Sequence, residues 1–134
     1  MIANATRAAI VQRAGNRCEY CRLQQIHYSL WLHQIEHIVP KKHFGSDELD
    51  NLALACVRCN LGKSSNLTGV DPLTNQITPL FHPRTDYWHE HFEYVGAVIS
   101  GITPIGRVTV YVLNINEAQR LRLRYRLLEN NELD

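Results

Sequence analysis

The chain has 134 residues, of which 45% are hydrophobic and 20% are charged, and its formal net charge is +1. This length predicts one domain over residues 1–134, with enough apolar residues for a small core. The near-neutral charge excludes a chain that binds nucleic acid through overall basicity, so any positive surface must be local.

The N-terminal stretch MIANATRAAIVQRAG lacks the long apolar core of a signal peptide. No apolar run approaches the length that a membrane-spanning helix needs. We therefore expect a cytoplasmic protein with no membrane partner.

A helix is predicted over residues 5–14, and it leads into the first of two Cys-x-x-Cys pairs, which are separated by 34 residues. In a reducing compartment, such pairs are typical of a structural zinc site with four thiolate ligands. The alternative is two disulfides or two redox motifs. The predicted zinc ligands are Cys18, Cys21, Cys56 and Cys59.

A strand is predicted over residues 30–38, ending before Pro40. Strand alternation places His33 and His37 on one face and Glu36 on the other, and four residues span ~13 Å, so both histidines cannot bind one metal ion. A carboxylate beside an imidazole at a strand end offers a hard ligand next to a general base. His37 is the predicted base, and His33 a supporting or substrate-facing residue.

Beyond a polar loop, Asn51 can hydrogen-bond the loop backbone and orient the base. A helix over residues 60–65 would place Asn60 opposite Glu36, and this pair of oxygen ligands suits Mg²⁺ or Mn²⁺. Lys63 lies one turn further along and could bind phosphate. Additional substrate-binding candidates are Lys41, Lys42 and His43.

The C-terminal half is predicted to be an α/β extension, residues 70–134, packed on a core of residues 18–66. Its expected elements are a strand over residues 76–80, two strands around Gly96, a helix that starts at Thr103-Pro104, and a final helix capped by Asn116. The sequence VTVYV, which follows this helix start, favours a strand as the alternative.

Four arginines alternate with other residues in the final helix, at positions 120, 122, 124 and 126. At ~100° per residue, the helix is predicted to bury an apolar seam, with the arginines in two pairs on either side. Their aliphatic stems would cover the edge of the core while their guanidinium groups stay in solvent. The alternative is that these arginines contact a DNA backbone. The predicted seam is Ala118, Leu121, Tyr125 and Leu128.

The ordered set Cys-x-x-Cys, Glu-His-Ile-Val-Pro, Asp-Asn-Leu and Cys-x-x-Cys-Asn-x-x-Lys resembles the HNH endonuclease family, also called His-Me or ββα-metal nucleases. The matching residues are Cys18, Cys21, Glu36, His37, Pro40, Gly45, Asn51, Leu52, Cys56, Cys59, Asn60 and Lys63. The family often has Asp or His at position 36, His at position 60 and Gly-Gly at 44–45, where this chain has Glu, Asn and Phe-Gly.

The resemblance implies an α+β fold: a small ββα-metal core with zinc knuckles, preceded by a helix and followed by the α/β extension. It implies an endonuclease that cleaves DNA, in which His37 activates water and Asn51 orients His37. Glu36 and Asn60 would hold Mg²⁺, or another divalent ion such as Mn²⁺ or Ni²⁺.

Two other functions remain open. A zinc-stabilised module could bind nucleic acid without catalysis, and a different phosphodiesterase could act on RNA or a small nucleotide. The sequence favours neither a monomer nor a homodimer.

Overall fold

The computed structural model describes residues 2–133. These residues form two compact units. The first contains the described residues up to Leu67 together with His82–Asp86, and the second contains Thr68–Phe81 and the described residues from Tyr87 onward. The prediction of a single domain over the whole chain stays a prediction.

The first unit is built on a two-stranded antiparallel hairpin of β1 (Gln34–His37) and β2 (Leu52–Ala55). Helix α1 (Asn4–Ala14) precedes the hairpin, and α2 (Val57–Lys63) follows it directly. In the register of the hairpin, His37 pairs with Leu52 and Glu36 with Ala53.

Helix α1 covers one face of this hairpin. Ile10 packs against Leu52 and Leu54, and all three side chains are fully buried. The guanidinium of Arg13 donates to the carbonyls of Leu49 (2.9 Å) and Leu52 (2.6 Å), which fixes the start of β2. Because side chains alternate along a strand, the face that carries Leu52 also carries its pairing partner, His37.

Helix α2 packs against β1 and β2. On the hairpin, Ala53 and Ala55 are both completely buried, and their register partners are Glu36 and Gln34. Alternation along both strands therefore puts Glu36 and Gln34 together on the face opposite Leu52.

The predicted strand over residues 30–38 is wrong in its first half, because β1 begins only at Gln34. Residues 30–32 lie in an exposed loop in spite of their apolar sequence. The side-chain amide of Gln25 closes this loop: it donates to the carbonyls of Tyr28 and Trp31 and accepts from the backbone N–H of His33.

The second unit combines two hairpins with three helices in the described part of the chain. The strands are β3 (Thr68–Val70), β4 (Ile77–Pro79), β5 (Phe92–Val95) and β6 (Val98–Gly101), and the helices are α3 (Trp88–His91), α4 (Pro104–Val112) and α5 (Ala118–Glu129). β3 pairs with β4, and β5 with β6, both antiparallel. Aromatic rings of Phe81, Trp88 and Phe92 pack together in its core.

Helix α4 begins as predicted. The Thr103 hydroxyl accepts a hydrogen bond from the Gly106 N–H (3.0 Å), and Pro104 occupies the first turn. The predicted cap of α5 is wrong by one residue, because Glu117 accepts from the N–H groups of Gln119 and Arg120. Asn116 instead bonds the backbone of Ile99 in both directions.

The apolar seam predicted for α5 is also wrong. The buried residues of this helix are Arg120, Arg124 and Leu127, whereas Tyr125 and Leu128 are 48% and 42% exposed. The guanidinium groups of Arg120 and Arg124 donate to buried backbone carbonyls. A prediction that buries only apolar side chains therefore assigned the wrong face of α5 to the core.

The observed mixture of helices and antiparallel strand pairs confirms the predicted α+β fold class. Within residues 2–133, none of the helices combines the length and the apolar character needed to cross a bilayer.

Candidate metal centre and active site

The four cysteines come together in the interior of the first unit. Their sulfur atoms all lie within 4.8 Å of one another, and the Sγ atoms of Cys21 and Cys56 are 3.7 Å apart. Four thiolates around one zinc ion at ~2.3 Å would be separated by about 3.8 Å. Both pairs also have the local turn that ligands need, since the N–H groups of Cys21 and Cys59 point at Cys18 Sγ and Cys56 Sγ.

The chemistry of this cluster fits a zinc ion. Burial raises the pKa of the Cys18 and Cys59 thiols well above the ordinary value, because a buried thiolate needs a compensating positive charge. A zinc ion supplies that charge and deprotonates its ligands. The four buried cysteines therefore fit the predicted structural zinc site.

Tyr20 connects the first zinc knuckle to β1. It lies between the two cysteines of the knuckle and is completely buried. Its hydroxyl donates a 2.6 Å hydrogen bond to Glu36 Oε2. Burial, and then the negative charge of Glu36, raise the pKa of Tyr20 well above its usual value, so this hydroxyl stays a donor.

Lys63 neutralises the same carboxylate. Its Nζ lies 2.6 Å from Glu36 Oε1, and both side chains are 2% exposed. The ammonium group also donates to the carbonyl of Ile38 (2.9 Å). Burial raises the pKa of Glu36, and the charge and hydrogen bond of Lys63 oppose that shift. Lys63 is thus an interior residue of α2, and its ammonium group is not exposed to a phosphate in solvent.

Asn60 lies one turn before Lys63 on α2, and its amide nitrogen donates to Gln34 Oε1. Gln34 and Glu36 share the face of β1 that α2 covers. The predicted metal ligands Glu36 and Asn60 therefore belong to one polar layer between the hairpin and the helix. Carboxylate and amide oxygens are ligands that suit a hard cation, and in this structure the carboxylate is already paired with the Lys63 ammonium.

His37 lies at the end of β1 with its side chain 24% exposed. Its Nε2 is 2.7 Å from Asp47 Oδ1, in the loop that joins β1 to β2. Asn51 closes this loop: its amide oxygen accepts from the Val39 N–H (2.8 Å), and its amide nitrogen donates to the carbonyls of Val39 (3.0 Å) and Ser46 (2.8 Å). The predicted contact between Asn51 and the loop backbone is present, and the side chain that touches the imidazole is Asp47.

Residues 18–66 match the HNH endonuclease family. The resemblance predicted from the sequence is therefore confirmed over this segment. We call residues 18–66 the HNH segment. At the level of the family, this match supports nuclease activity and implies a nucleic-acid substrate.

One protein similar to this chain is the Septu protein PtuB of Bacillus thuringiensis, which is 27% identical over 115 residues. The aligned region covers 84% of this chain and 42% of the relative, so the chain spans less than half of that protein's length. No solved structure matches this chain significantly.

Where the family often has Gly-Gly, this chain has Phe44-Gly45. The structure shows why the second position is a glycine. A Cβ on Gly45 would lie 1.6 Å from the Val39 carbonyl oxygen, so no larger residue fits. Phe44 has φ +67° and is 98% exposed. This left-handed conformation favours glycine, so Phe44 occupies its position under backbone strain.

The remaining candidates of the HNH segment divide by burial. His33 is 1% exposed and its Nε2 contacts the Leu23 carbonyl at 2.8 Å, which fits the supporting role rather than the substrate-facing one. Lys41, Lys42 and His43 form an exposed 3-10 turn directly after Pro40. Of these, Lys41 pairs with Asp47 at 2.9 Å.

Sequence reasoning missed Asp47 and Tyr20. Neither belongs to the motif, and each reaches its partner through the fold, over ten residues for Asp47 and sixteen for Tyr20. A usable signal existed for Tyr20: an aromatic residue inside a metal knuckle is held in the core by its neighbours. No comparable signal marked Asp47 among the acidic residues of its loop.

Proposed function

We propose that this chain is an endonuclease that hydrolyses phosphodiester bonds of DNA, with His37 as the general base. The observation that supports this most is the position of His37. Its imidazole is the partly exposed group at the end of β1, beside a loop held by Asn51, in a segment that matches HNH endonucleases. A neutral imidazole with solvent access can take a proton from water.

The residues around His37 would have separate roles in the reaction. Asn51 keeps the loop in place and so keeps the surroundings of the base fixed. Water loses a proton to His37 and forms a bond to phosphorus, and the bond between phosphorus and the 3′-oxygen breaks. The exposed turn with Lys41, Lys42 and His43 lies next in the chain to this strand end and can contact the phosphate backbone.

The proposed ligands of a catalytic divalent ion are Glu36 and Asn60, whose carboxylate and amide oxygens suit Mg²⁺, Mn²⁺ or Ni²⁺. When bound, such an ion stabilises negative charge on the phosphate and on the leaving oxygen. In the arrangement described above, Lys63 supplies the positive charge at Glu36. Access of a metal ion to this carboxylate requires the ammonium group to move aside.

The experiment that tests the function incubates zinc-loaded protein with supercoiled plasmid in Mg²⁺, Mn²⁺, Ni²⁺ or EDTA. We expect metal-dependent nicking or linearisation that falls by at least about 100-fold in His37→Ala, since a positioned base contributes about 10²–10⁴-fold. His89→Ala, which removes an exposed histidine of the second unit, is the matched control and should cleave normally. Undiminished cleavage by His37→Ala would remove His37 from this role.

A second candidate function is a zinc-stabilised module that binds nucleic acid without cutting it. The burial of Glu36 against Lys63 favours this candidate, because the pair is already neutral without a metal ion. A folded, zinc-loaded protein that retards DNA in a gel but cleaves it in none of the metals would support it. Cleavage of RNA or of small phosphodiesters alone would instead identify a different substrate class.

The other expectations also remain proposals. A reducing cytoplasm suits four cysteines that bind zinc as thiolates, and either a monomer or a homodimer is compatible with the described residues.

A further inference from the structure

The loop between β1 and β2 brings three side chains into a row at the surface. Asp47 lies in the centre: one carboxylate oxygen, Oδ1, is 2.7 Å from His37 Nε2 and 2.9 Å from Lys41 Nζ. Asp47 is 44% exposed and His37 24% exposed. An ordinary surface ion pair contributes little to stability, so the significance of this contact depends on what it does to the imidazole.

The charge state of Asp47 fixes the direction of its hydrogen bond. The hydrogen bond from Lys41, followed by the one from His37, lowers the pKa of Asp47 to about 2. An ionised carboxylate can only accept hydrogen bonds, so His37 Nε2 must carry the hydrogen. In the neutral ring the lone pair is then on Nδ1.

The backbone on both sides of Asp47 is restrained. Asn51 bonds the carbonyl of Ser46, the residue directly before Asp47 (2.8 Å). The same amide bonds Val39 in both directions, and Gly45 packs so closely on Val39 that no side chain fits. The carboxylate is thus presented to His37 from a closed loop, whereas an unrestrained surface side chain would sample many positions.

We propose that Asp47 is a positioning residue for His37. It holds the imidazole as the Nε2–H tautomer, so that Nδ1 is the nitrogen that takes the proton from water, and Lys41 holds Asp47 in place. This inference rests on the proposed function, in which His37 is the base. The Asp47 carboxylate then also balances the positive charge that His37 gains when it is protonated.

The first test reads the tautomer without catalysis. Protein labelled with ¹⁵N-histidine is studied by NMR in its zinc-loaded form without added divalent metal ion or substrate, and His37→Ala assigns the signals. We expect a protonated Nε2 and an unprotonated Nδ1 in the neutral ring. Asp47→Asn should shift the ring toward a mixture of tautomers, while Glu48→Gln, which removes a charge from the same loop, should leave the signals unchanged.

The second test separates kcat from KM on plasmid or oligonucleotide DNA. Asp47→Asn should lower kcat by about 10–100-fold, as loss of an orienting partner typically does, with KM changed by less than about twofold. Asp47→Glu keeps the charge and should recover part of kcat. Glu48→Gln should cleave like the wild type.

A His37 ring whose tautomer does not respond to Asp47→Asn overturns the proposal, and so does an unchanged kcat in that variant. A wild-type protein that cleaves no nucleic acid overturns the proposed function and, with it, a catalytic role for Asp47. The NMR spectrum still distinguishes that failure from a missing contact between Asp47 and His37.

Discussion

Glu36, the carboxylate predicted to bind a divalent metal ion, is an interior residue. It is 3% exposed and contacts the Tyr20 hydroxyl and the Lys63 ammonium at 2.6 Å each. The three residues connect a zinc knuckle, strand β1 and helix α2. A buried charge is costly without a partner, so loss of one charged member would leave the other buried and uncompensated.

Loss of the ammonium group alone should be strongly destabilising. We expect Lys63→Met to lower the free energy of unfolding by about 3 kcal/mol, because it leaves the Glu36 carboxylate buried and unpaired. The double variant Lys63→Met/Glu36→Gln should recover part of that loss, since it removes both charges. Urea unfolding of the zinc-loaded proteins measures both values.

Lys42→Met serves as the control for this residue, because Lys42 is exposed and surface substitutions usually change stability by less than about 0.5 kcal/mol. A Lys63→Met protein as stable as the wild type would show that the ion pair does not support the fold. Equal losses in the single and double variants would show that Lys63 acts through its packing alone.

At the scale of the element, α5 shows that a helix can bury its arginines when the fold supplies carbonyl acceptors. Arg120 donates to the carbonyls of Leu113 and Asn114, at the end of α4. Arg124 donates to the carbonyls of Ala97 (2.6 Å) and Ile115 (3.1 Å) and to Asn116 Oδ1 (2.6 Å). These guanidinium groups connect α5 to the turn between β5 and β6 and to the segment after α4, while Arg122 and Arg126 stay exposed.

Arg124→Leu should destabilise the second unit by about 2–4 kcal/mol, because it leaves several acceptors without their donor in a buried place. Arg126→Leu is the matched substitution on the exposed face and should change stability by less than about 0.5 kcal/mol. Near-ultraviolet circular dichroism during urea unfolding follows the packed Trp88 of this unit. Equal effects of the two substitutions would contradict the structural role of Arg124.

The elements that the sequence predicted well are those with local signals. Thr103-Pro104 starts α4 through a hydroxyl and a ring that act within one turn, and the turn at Gly96 uses a positive φ of 60°. The failures depend on distant partners. Residues 30–32 are apolar but lie in a loop held by Gln25, and the buried face of α5 depends on carbonyls elsewhere in its unit.

The candidate site follows the same rule. The order of motif residues predicted the cysteine cluster and placed His37 at a strand end, because ligand spacing and strand alternation are local properties. Lys63 was expected to meet phosphate and instead neutralises Glu36, 27 positions earlier in the chain. Such a pairing depends on how α2 packs on β1, which the spacing of a motif does not specify.

At the scale of the whole molecule, the two units differ in what stabilises them. The apolar core of the first unit around Ile10, Leu52 and Leu54 is small, and the four cysteines bring distant parts of this unit together. The second unit has its own aromatic core of Phe81, Trp88 and Phe92. It also contains a bidentate ion pair, in which Arg107 binds Asp71 through two 2.9 Å contacts and lowers the pKa of that carboxyl.

Removal of zinc should therefore unfold the first unit and leave the second folded. Binding of structural zinc contributes on the order of 10 kcal/mol to the folding of small domains, which exceeds what a core of this size supplies. We expect Cys56→Ser, or a strong chelator, to collapse the dispersed amide signals of Ile10 and Leu54 in an NMR spectrum of the full chain. The signals of Ile99 and Val108, in the second unit, should stay dispersed.

A control variant that keeps all four cysteines separates the effect of zinc loss from that of a substitution in the same turn. Arg58→Ser, which changes an exposed residue between the two cysteines of the second pair, should keep both sets of signals and the bound zinc. Simultaneous collapse of both units in Cys56→Ser would mean that they unfold as one cooperative domain, as the chain length predicted. A Cys56→Ser protein that stays folded throughout without zinc would instead mean that the cysteine cluster does not hold the HNH segment together.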